Sequence, residues 1–487
     1  MANELVITDQ LNVPVLLSDD RERQVKVKLS IYPSDEIRRK ATKHQQNATG
    51  ADVCVVLDVS HSMRNIVGGD YEETGETAFV DGQQVTFVTG STSKLDSAVN
   101  AIENLVPMLR ENDTLSLIVY DDNPHLIFKG LMKKDSERIL RDLKKCYKYK
   151  GNTNISAALR EARLLLNEFS QERPKRMIFL TDGQPVGDTE ENGIREGKMA
   201  AEYNITIDAL GFGDDFNYDF IQRIAEPSKG RTNIIQTPED AEQVFSRLFR
   251  NTQDVLATNV ELKLKFSQQV RVTDHYRGVP ENMYLGKVKM SPDRTYTLNL
   301  GQLEANQRYD YYFLLTVPAQ QGYTGTVRLF KATASYYIPG IVNDKEETSK
   351  DVKVEFTDKP HLANELNGDV EKDYTQAEIM KLLREAEDFQ KQGDNMNTIN
   401  RYEQIIQKYR GLGSVEDADM YVKVLEEFKA SGKITLSEIN AARQKSSSKV
   451  SDSGKLKPVL DESVEDIIYG KNGKGKGKGI RRGRGRR

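Results

Sequence analysis

Residues 53–63 read VCVVLDVSHSM, an unbroken apolar run that ends in Asp58 and continues with Ser60 and Ser62 at every second position. An apolar run of this kind, with no alternating polar face, marks a strand buried on both sides, as in parallel sheets covered by helices. In an extended or looping segment, i, i+2, i+4 spacing sends side chains the same way. One carboxylate and two hydroxyls are therefore expected to converge at the carboxyl edge of the sheet, where open α/β sheets bind ligands. Oxygen donors suit a hard cation. Mg²⁺ is favoured by a small octahedral arrangement that keeps some waters, with Mn²⁺ or Ca²⁺ as alternatives.

Working outward, TLSLIVY (114–120), RMIFL (176–180) and ITIDALGF (205–212) repeat the buried-strand pattern. Helical periodicities separate them: Leu95, Val99, Ile102 and Leu109, then Ile155, Ala158, Leu159, Ala162 and Leu166. Pro107 is expected to end or kink the first of these helices. A further helix opens at TPEDAEQVFSRLF, with Thr237 as N-cap and Pro238 in the first turn. Strands alternating with helices predict an α/β unit over residues 49–252, with a mostly parallel sheet covered on both faces.

Two more segments belong with the first. Thr153, in GNTN, precedes a helix and offers a third hydroxyl. Asp182, in FLTDG, follows a strand of four apolar residues and offers a second carboxylate. D-x-S-x-S alone is a weak signal, but joined to GNTN and FLTDG in this order it is specific. The pattern resembles the von Willebrand factor type A (VWA) family, whose metal-ion-dependent adhesion site combines D-x-S-x-S, a threonine and a T-D-G aspartate. The resemblance covers roughly residues 50–252, and the chain is also similar to prokaryotic VWA proteins of unassigned role. It implies a Rossmann-like fold and a metal site of Asp58, Ser60, Ser62, Thr153 and Asp182. In that family the serines and, depending on state, the threonine bind the ion directly, while the aspartates act largely through water. Neutral direct ligands leave the cation wanting an anionic oxygen, so the implied function is interaction with a partner protein that presents Asp or Glu.

There are departures from the family pattern. His61 stands where Gly is usual and Asn152 where a second Gly is frequent. Residues 69–91 are inserted between the metal loop and the first helix. Asp81-Gly82 between AFV and VTFV predicts a hairpin that either shapes partner choice or decorates the rim. Asp121, Asp122, Asp214 and Asp215 also lie at strand ends and are read as solvated loop acids. No G-x-S-x-G elbow, P-loop or H-E-x-x-H run appears. Ser60 and Ser62 would be engaged by metal, so an interaction module rather than an enzyme is expected.

The flanks follow other periods. Val25, Val27, Leu29 and Ile31 alternate with polar residues, as do Val260, Leu262, Leu264 and Phe266 and later Val352, Val354 and Phe356. Period two predicts antiparallel strands. Residues 1–48 are expected to complete a β-sandwich over 253–358, with the α/β unit inserted between. Residues 359–373 read as a linker. A helical module over 374–446 is expected to open at the capping box Thr375-x-x-Glu378, with further helix starts at Ser414 and Thr435. Residues 447–487, rich in Ser, Lys and Gly, are expected to be disordered.

The 487 residues carry a net charge of −4, but KNGKGKGKGIRRGRGRR (471–487) holds four Lys, five Arg and no acid. The body is correspondingly more acidic. Such a tail suits nucleic-acid phosphate, another acidic surface, or plain solubility. A nucleic-acid-associated scaffold is accordingly one alternative function, and an adaptor or co-chaperone for an AAA-type ATPase, by family analogy, another. Cys54 and Cys146 are too few for a disulfide framework and read as small buried hydrophobes. MANELVITDQ lacks the basic start and apolar run of a secretory signal, and no apolar stretch is long enough to span a bilayer, so a cytoplasmic location is expected.

Overall fold

The computed structural model describes residues 4–44, 50–68, 72–80, 83–89, 92–170, 172–213, 216–363, 365–432, 445–446 and 454–456. Its central sheet has the strand order Pro124–Leu131, Thr114–Tyr120, Asp52–Asp58, Lys175–Thr181, Ile205–Phe212, Thr232–Ile235. All neighbours are parallel except the first, antiparallel pair. That edge strand and the strand Thr232–Ile235 escaped the sequence reading, because neither forms a long apolar run.

Every residue of Asp52–Asp58 is buried. Apolar side chains alternate between two cores. Val53, Val55 and Leu57 pack against the helices Lys94–Glu103 and Pro238–Gln253 on one face. Cys54 and Val56 pack against Ile155–Asn167 and Tyr218–Ala225 on the other. The helix caps follow the local sequence. Thr237 accepts from the Asp240 amide and Asp240 returns the bond, with Pro238 in the first turn. The first helix ends at Glu103, ahead of a single turn Val106–Met108 that holds Pro107.

Strands from both sides of the α/β unit share two five-stranded sheets. One runs Leu5–Leu11, Arg23–Pro33, Tyr309–Val317, Arg271–Val279, Met283–Lys287; the other runs Thr295–Glu304, Val255–Phe266, Gly325–Ile338, Val342–Thr357, Val15–Leu17. Val25, Val27, Leu29 and Ile31 meet Leu262, Leu264, Phe330 and Val354 in one apolar core between the sheets. The inserted segment contains paired strands, Glu72–Val80 and Gln83–Thr89, as expected for a hairpin; its turn, Asp81-Gly82, lies outside the described residues.

Two expectations at the C-terminal end are corrected. The helix assigned to begin at Thr375 begins at Gly368, inside the supposed linker, and runs to Lys391. Asn367 caps it by accepting from the Asp369 and Val370 amides. Thr375 lies within the helix, its hydroxyl bonded back to the Glu371 carbonyl. The early turns form because they dock on the sandwich: Tyr374 packs edge-on against Tyr276, Lys28 pairs with Asp373 at 2.6 Å, and Lys26 pairs with Glu371. The helices Asn395–Gly411 and Val415–Ser431 complete the module. The second starts directly after Ser414; Thr435 lies outside the described residues. Within the segment expected to be disordered, residues 454–456 pair with the chain at 306–308: the Arg308 amide donates to Gly454 at 2.8 Å and the Leu456 amide to Asn306 at 2.9 Å. Backbone pairing needs no apolar side chain, so composition could not reveal it. The basic stretch 471–487 lies outside the described residues.

Candidate metal centre and partner-binding face

Parallel pairing brings Leu57 level with Leu180 and Asp58 level with Tyr120. Three strands therefore end at one height. The loop after the central strand turns back on itself, because the Ser60 amide donates to Asp58 Oδ1 at 2.9 Å. Ser60 Oγ and Ser62 Oγ lie 3.2 Å apart, and Ser62 donates to Asp182 Oδ1 at 2.7 Å. Four of the five expected residues are thus joined by direct bonds.

Thr153 sits on the neighbouring loop, just ahead of the helix Ile155–Asn167, and is 5% exposed. Among the described residues, no hydrogen bond joins its hydroxyl to the other four. Its loop is held next to theirs by His61. The His61 amide and ring Nδ1 both donate to the Gly151 carbonyl, at 3.3 and 3.1 Å. The histidine that replaces the usual glycine therefore ties two loops together. Asn152 donates to Asp122 at 2.8 Å, and Asp121 accepts from His125 at 3.0 Å. Asp121 is engaged within its own loop and is buried rather than solvated, whereas Asp122 is exposed and accepts from the Thr153 loop; Asp214 and Asp215 lie outside the described residues.

Three contributors were missed in the sequence. Thr181 donates to Asp58 Oδ2 at 2.9 Å, and the Tyr120 hydroxyl lies 3.4 Å from the same oxygen. Thr181 was visible in FLTDG, but only pairing with the central strand shows what it touches. Lys94 reaches in from the first turn of its helix and donates to Asp182 Oδ2 at 2.9 Å. No spacing rule connects residues so far apart in the chain.

Asp58 and Asp182 are fully buried as side chains or nearly so. Burial, reinforced by the charge of Asp182, raises the Asp58 pKa to about 7, against the opposing hydrogen bonds from Ser60 and Thr181. A buried carboxylate pushed toward its neutral form is one that a cation would favour in its charged form. Among the described residues no group of three or more His, Cys, Asp or Glu is arranged to hold a metal. A cation here would rely on hydroxyls together with two carboxylates, a donor set that suits a hard ion and not a soft one.

Residues 53–184 match the family model described as von Willebrand factor type A domain. The chain contains a VWA domain. An uncharacterized protein of Synechocystis sp. is 24% identical over 315 residues, covering 60% of this chain and 66% of that protein. Inter-alpha-trypsin inhibitor heavy chain H2 of Mus musculus is also 24% identical, over 298 residues, covering 54% of this chain. The match spans only 30% of that heavy chain's length. A solved structure, von Willebrand factor type A from Catenulispora acidiphila, superposes with a TM-score of 0.69 at 16% identity. It covers 91% of this chain and 96% of its own, so the likeness of fold extends beyond the VWA domain into the flanking sheets and helices. VWA domains commonly mediate protein–protein interaction.

Proposed function

We propose that the VWA domain is a divalent-metal-dependent interaction module, in which a bound Mg²⁺ accepts a carboxylate from a partner protein. The observation that carries this reading is the chain of direct bonds from Ser60 through Ser62 to Asp182, with Asp58 bonded to the Ser60 amide, at the carboxyl edge of the sheet. Ser60, Ser62 and Thr153 would offer neutral oxygens to the ion, and Asp58 and Asp182 would supply the charge that retains it. When bound, the ion supplies a Lewis-acidic position that an anionic oxygen can occupy.

The chain's own residues do the rest. The Ser60 amide and the Thr181 hydroxyl orient Asp58. Lys94 and Ser62 orient Asp182 from opposite oxygens. His61 holds the Thr153 loop against the serine loop. No proton transfer or nucleophile is needed, which is why binding, not catalysis, is the reading we favour. The test is retention of partner protein from source-cell lysate by wild type in Mg²⁺, by wild type in chelator, and by Asp58→Ala. Retention only by the intact protein with metal supports the module; equal retention in all three conditions overturns it.

A further inference from the structure

Lys94 occupies a costly position. It is the first residue of the helix Lys94–Glu103, whose capping box joins Ser93 and Asp96. A cation at a helix N-terminus faces the positive end of the helix dipole. Its side chain is only 7% exposed, and burying an ammonium is unfavourable unless it is paired. The surrounding backbone nonetheless fixes it there. The Lys94 amide donates to the Asn65 carbonyl at 3.0 Å, closing the insertion where Ile66–Gly68 pairs with Thr92–Ser93. Gly213 leaves room on the other side, since a Cβ there would stand 3.1 Å from the ammonium nitrogen. The ammonium is thus placed on the Asp182 oxygen that Ser62 does not use.

A charge count gives this placement a consequence. Asp58 and Asp182, both ionised, carry as much negative charge as a divalent ion carries positive. Without Lys94 the ion and the two carboxylates would sum to zero, and an incoming carboxylate would be drawn only by the ion's open position. With Lys94 the ion, the two carboxylates and the ammonium together keep one positive charge in excess. Asp121 and Asp122 are turned to His125 and Asn152.

We propose that Lys94 sets the ligand preference of the metal centre: its buried ammonium weakens retention of the divalent ion and makes the loaded site selective for an anionic partner group. This rests on the metal-centre reading above. Lys94 is a positioning and charge-setting residue, and it need not touch the ion.

The test uses the full chain with Mn²⁺ as the ion and acetate as the carboxylate probe. Free Mn²⁺ is read by its paramagnetic resonance signal, and acetate by its displacement of Mn²⁺-bound water in proton relaxation. Removing one unit charge at close range is expected to tighten Mn²⁺ by about tenfold or more in Lys94→Gln and Lys94→Met, and to weaken acetate on the loaded site by about tenfold or more. Lys94→Arg, which keeps the charge, is expected to behave as wild type. A purely structural lysine would not move the two affinities in opposite directions. Should the neutral variants fail to fold, Asp182→Asn shifts the count the other way with Lys94 intact. Weaker Mn²⁺ and tighter acetate are then expected, and unchanged or weaker acetate overturns the proposal. Wild-type Mn²⁺ and acetate affinities in the folded neutral variants also overturn it, leaving the metal centre itself standing. Failure of wild type to bind Mn²⁺, or equal binding by Asp58→Ala, overturns the underlying reading instead.

Discussion

The Thr181 hydroxyl donates to Asp58 Oδ2 at 2.9 Å across two adjacent parallel strands, and both residues are fully buried. This bond decides how Asp58 is presented. With one oxygen held by Thr181 and the other by the Ser60 amide, the carboxylate is fixed before any ligand arrives. Replacing Thr181 by Val keeps the shape and removes the donor. Asp58 Oδ2 would then keep only the longer Tyr120 contact at 3.4 Å. Weakening a buried acceptor's bonding costs up to about 1–3 kcal/mol, so Thr181→Val is expected to lower stability within that range in chelator, read by urea denaturation. Thr181→Ser, which restores the hydroxyl, is expected to recover most of it.

The pH dependence follows from the raised Asp58 pKa. A group whose folded pKa lies above its unfolded value binds protons preferentially in the folded state. Its stabilising contribution is present below the unfolded value of 3.8 and is lost as pH rises through about 7. Asp58 is therefore expected to make the metal-free protein less stable at pH 8 than at pH 5 by its own contribution, and Asp58→Asn to flatten that dependence. Divalent-ion affinity should run the other way, falling by up to about tenfold per unit as pH drops below 7, because the ion must displace the proton. Thermal melts with and without Mg²⁺ across this range check both signs.

Gly197 offers a test of packing against propensity. It lies in the helix Glu190–Glu202, where Ala would ordinarily stabilise by about 1 kcal/mol. A Cβ there would stand 2.3 Å from the Ile224 carbonyl oxygen, a backbone atom of the neighbouring helix. Gly197→Ala is accordingly expected to destabilise, by about 1–3 kcal/mol. A rise in the denaturation midpoint would contradict the close helix approach.

Docking of the long helix rests on Tyr374. Its ring meets Tyr276 at 5.4 Å between centroids, with the Lys26 ammonium 4.7 Å from the Tyr374 centroid. Tyr374→Ala is expected to cost about 3–5 kcal/mol of that docking and to expose the Asn367–Lys372 segment to protease. Hydrogen exchange should rise there first and leave the VWA sheet unchanged.

What local sequence encodes was legible. The buried run before Asp58, the Thr237 cap and the two-residue alternation of Val25–Ile31 each depend on neighbours a few positions away, so periodicity and side-chain chemistry specify them. The Asp58–Ser60–Ser62 spacing is equally local, and it pointed to the carboxyl edge of the sheet, where these residues are joined by direct bonds. The helix start at Gly368 was misplaced because Thr375-x-x-Glu378 satisfies a local rule, while the first turns form against Tyr276 and Lys28, which lie far away in the chain.

By itself, then, the sequence determined an α/β VWA domain, the strand whose end carries the serines, and a β-structure divided by the inserted unit. Only the tertiary structure decided that Thr181 holds Asp58, that His61 ties the Thr153 loop in place, and that Lys94 lies on Asp182. The physical reason is range. Strand runs and caps are set by interactions along the chain, whereas charge balance at the site comes from side chains that meet only when the sheet aligns its ends.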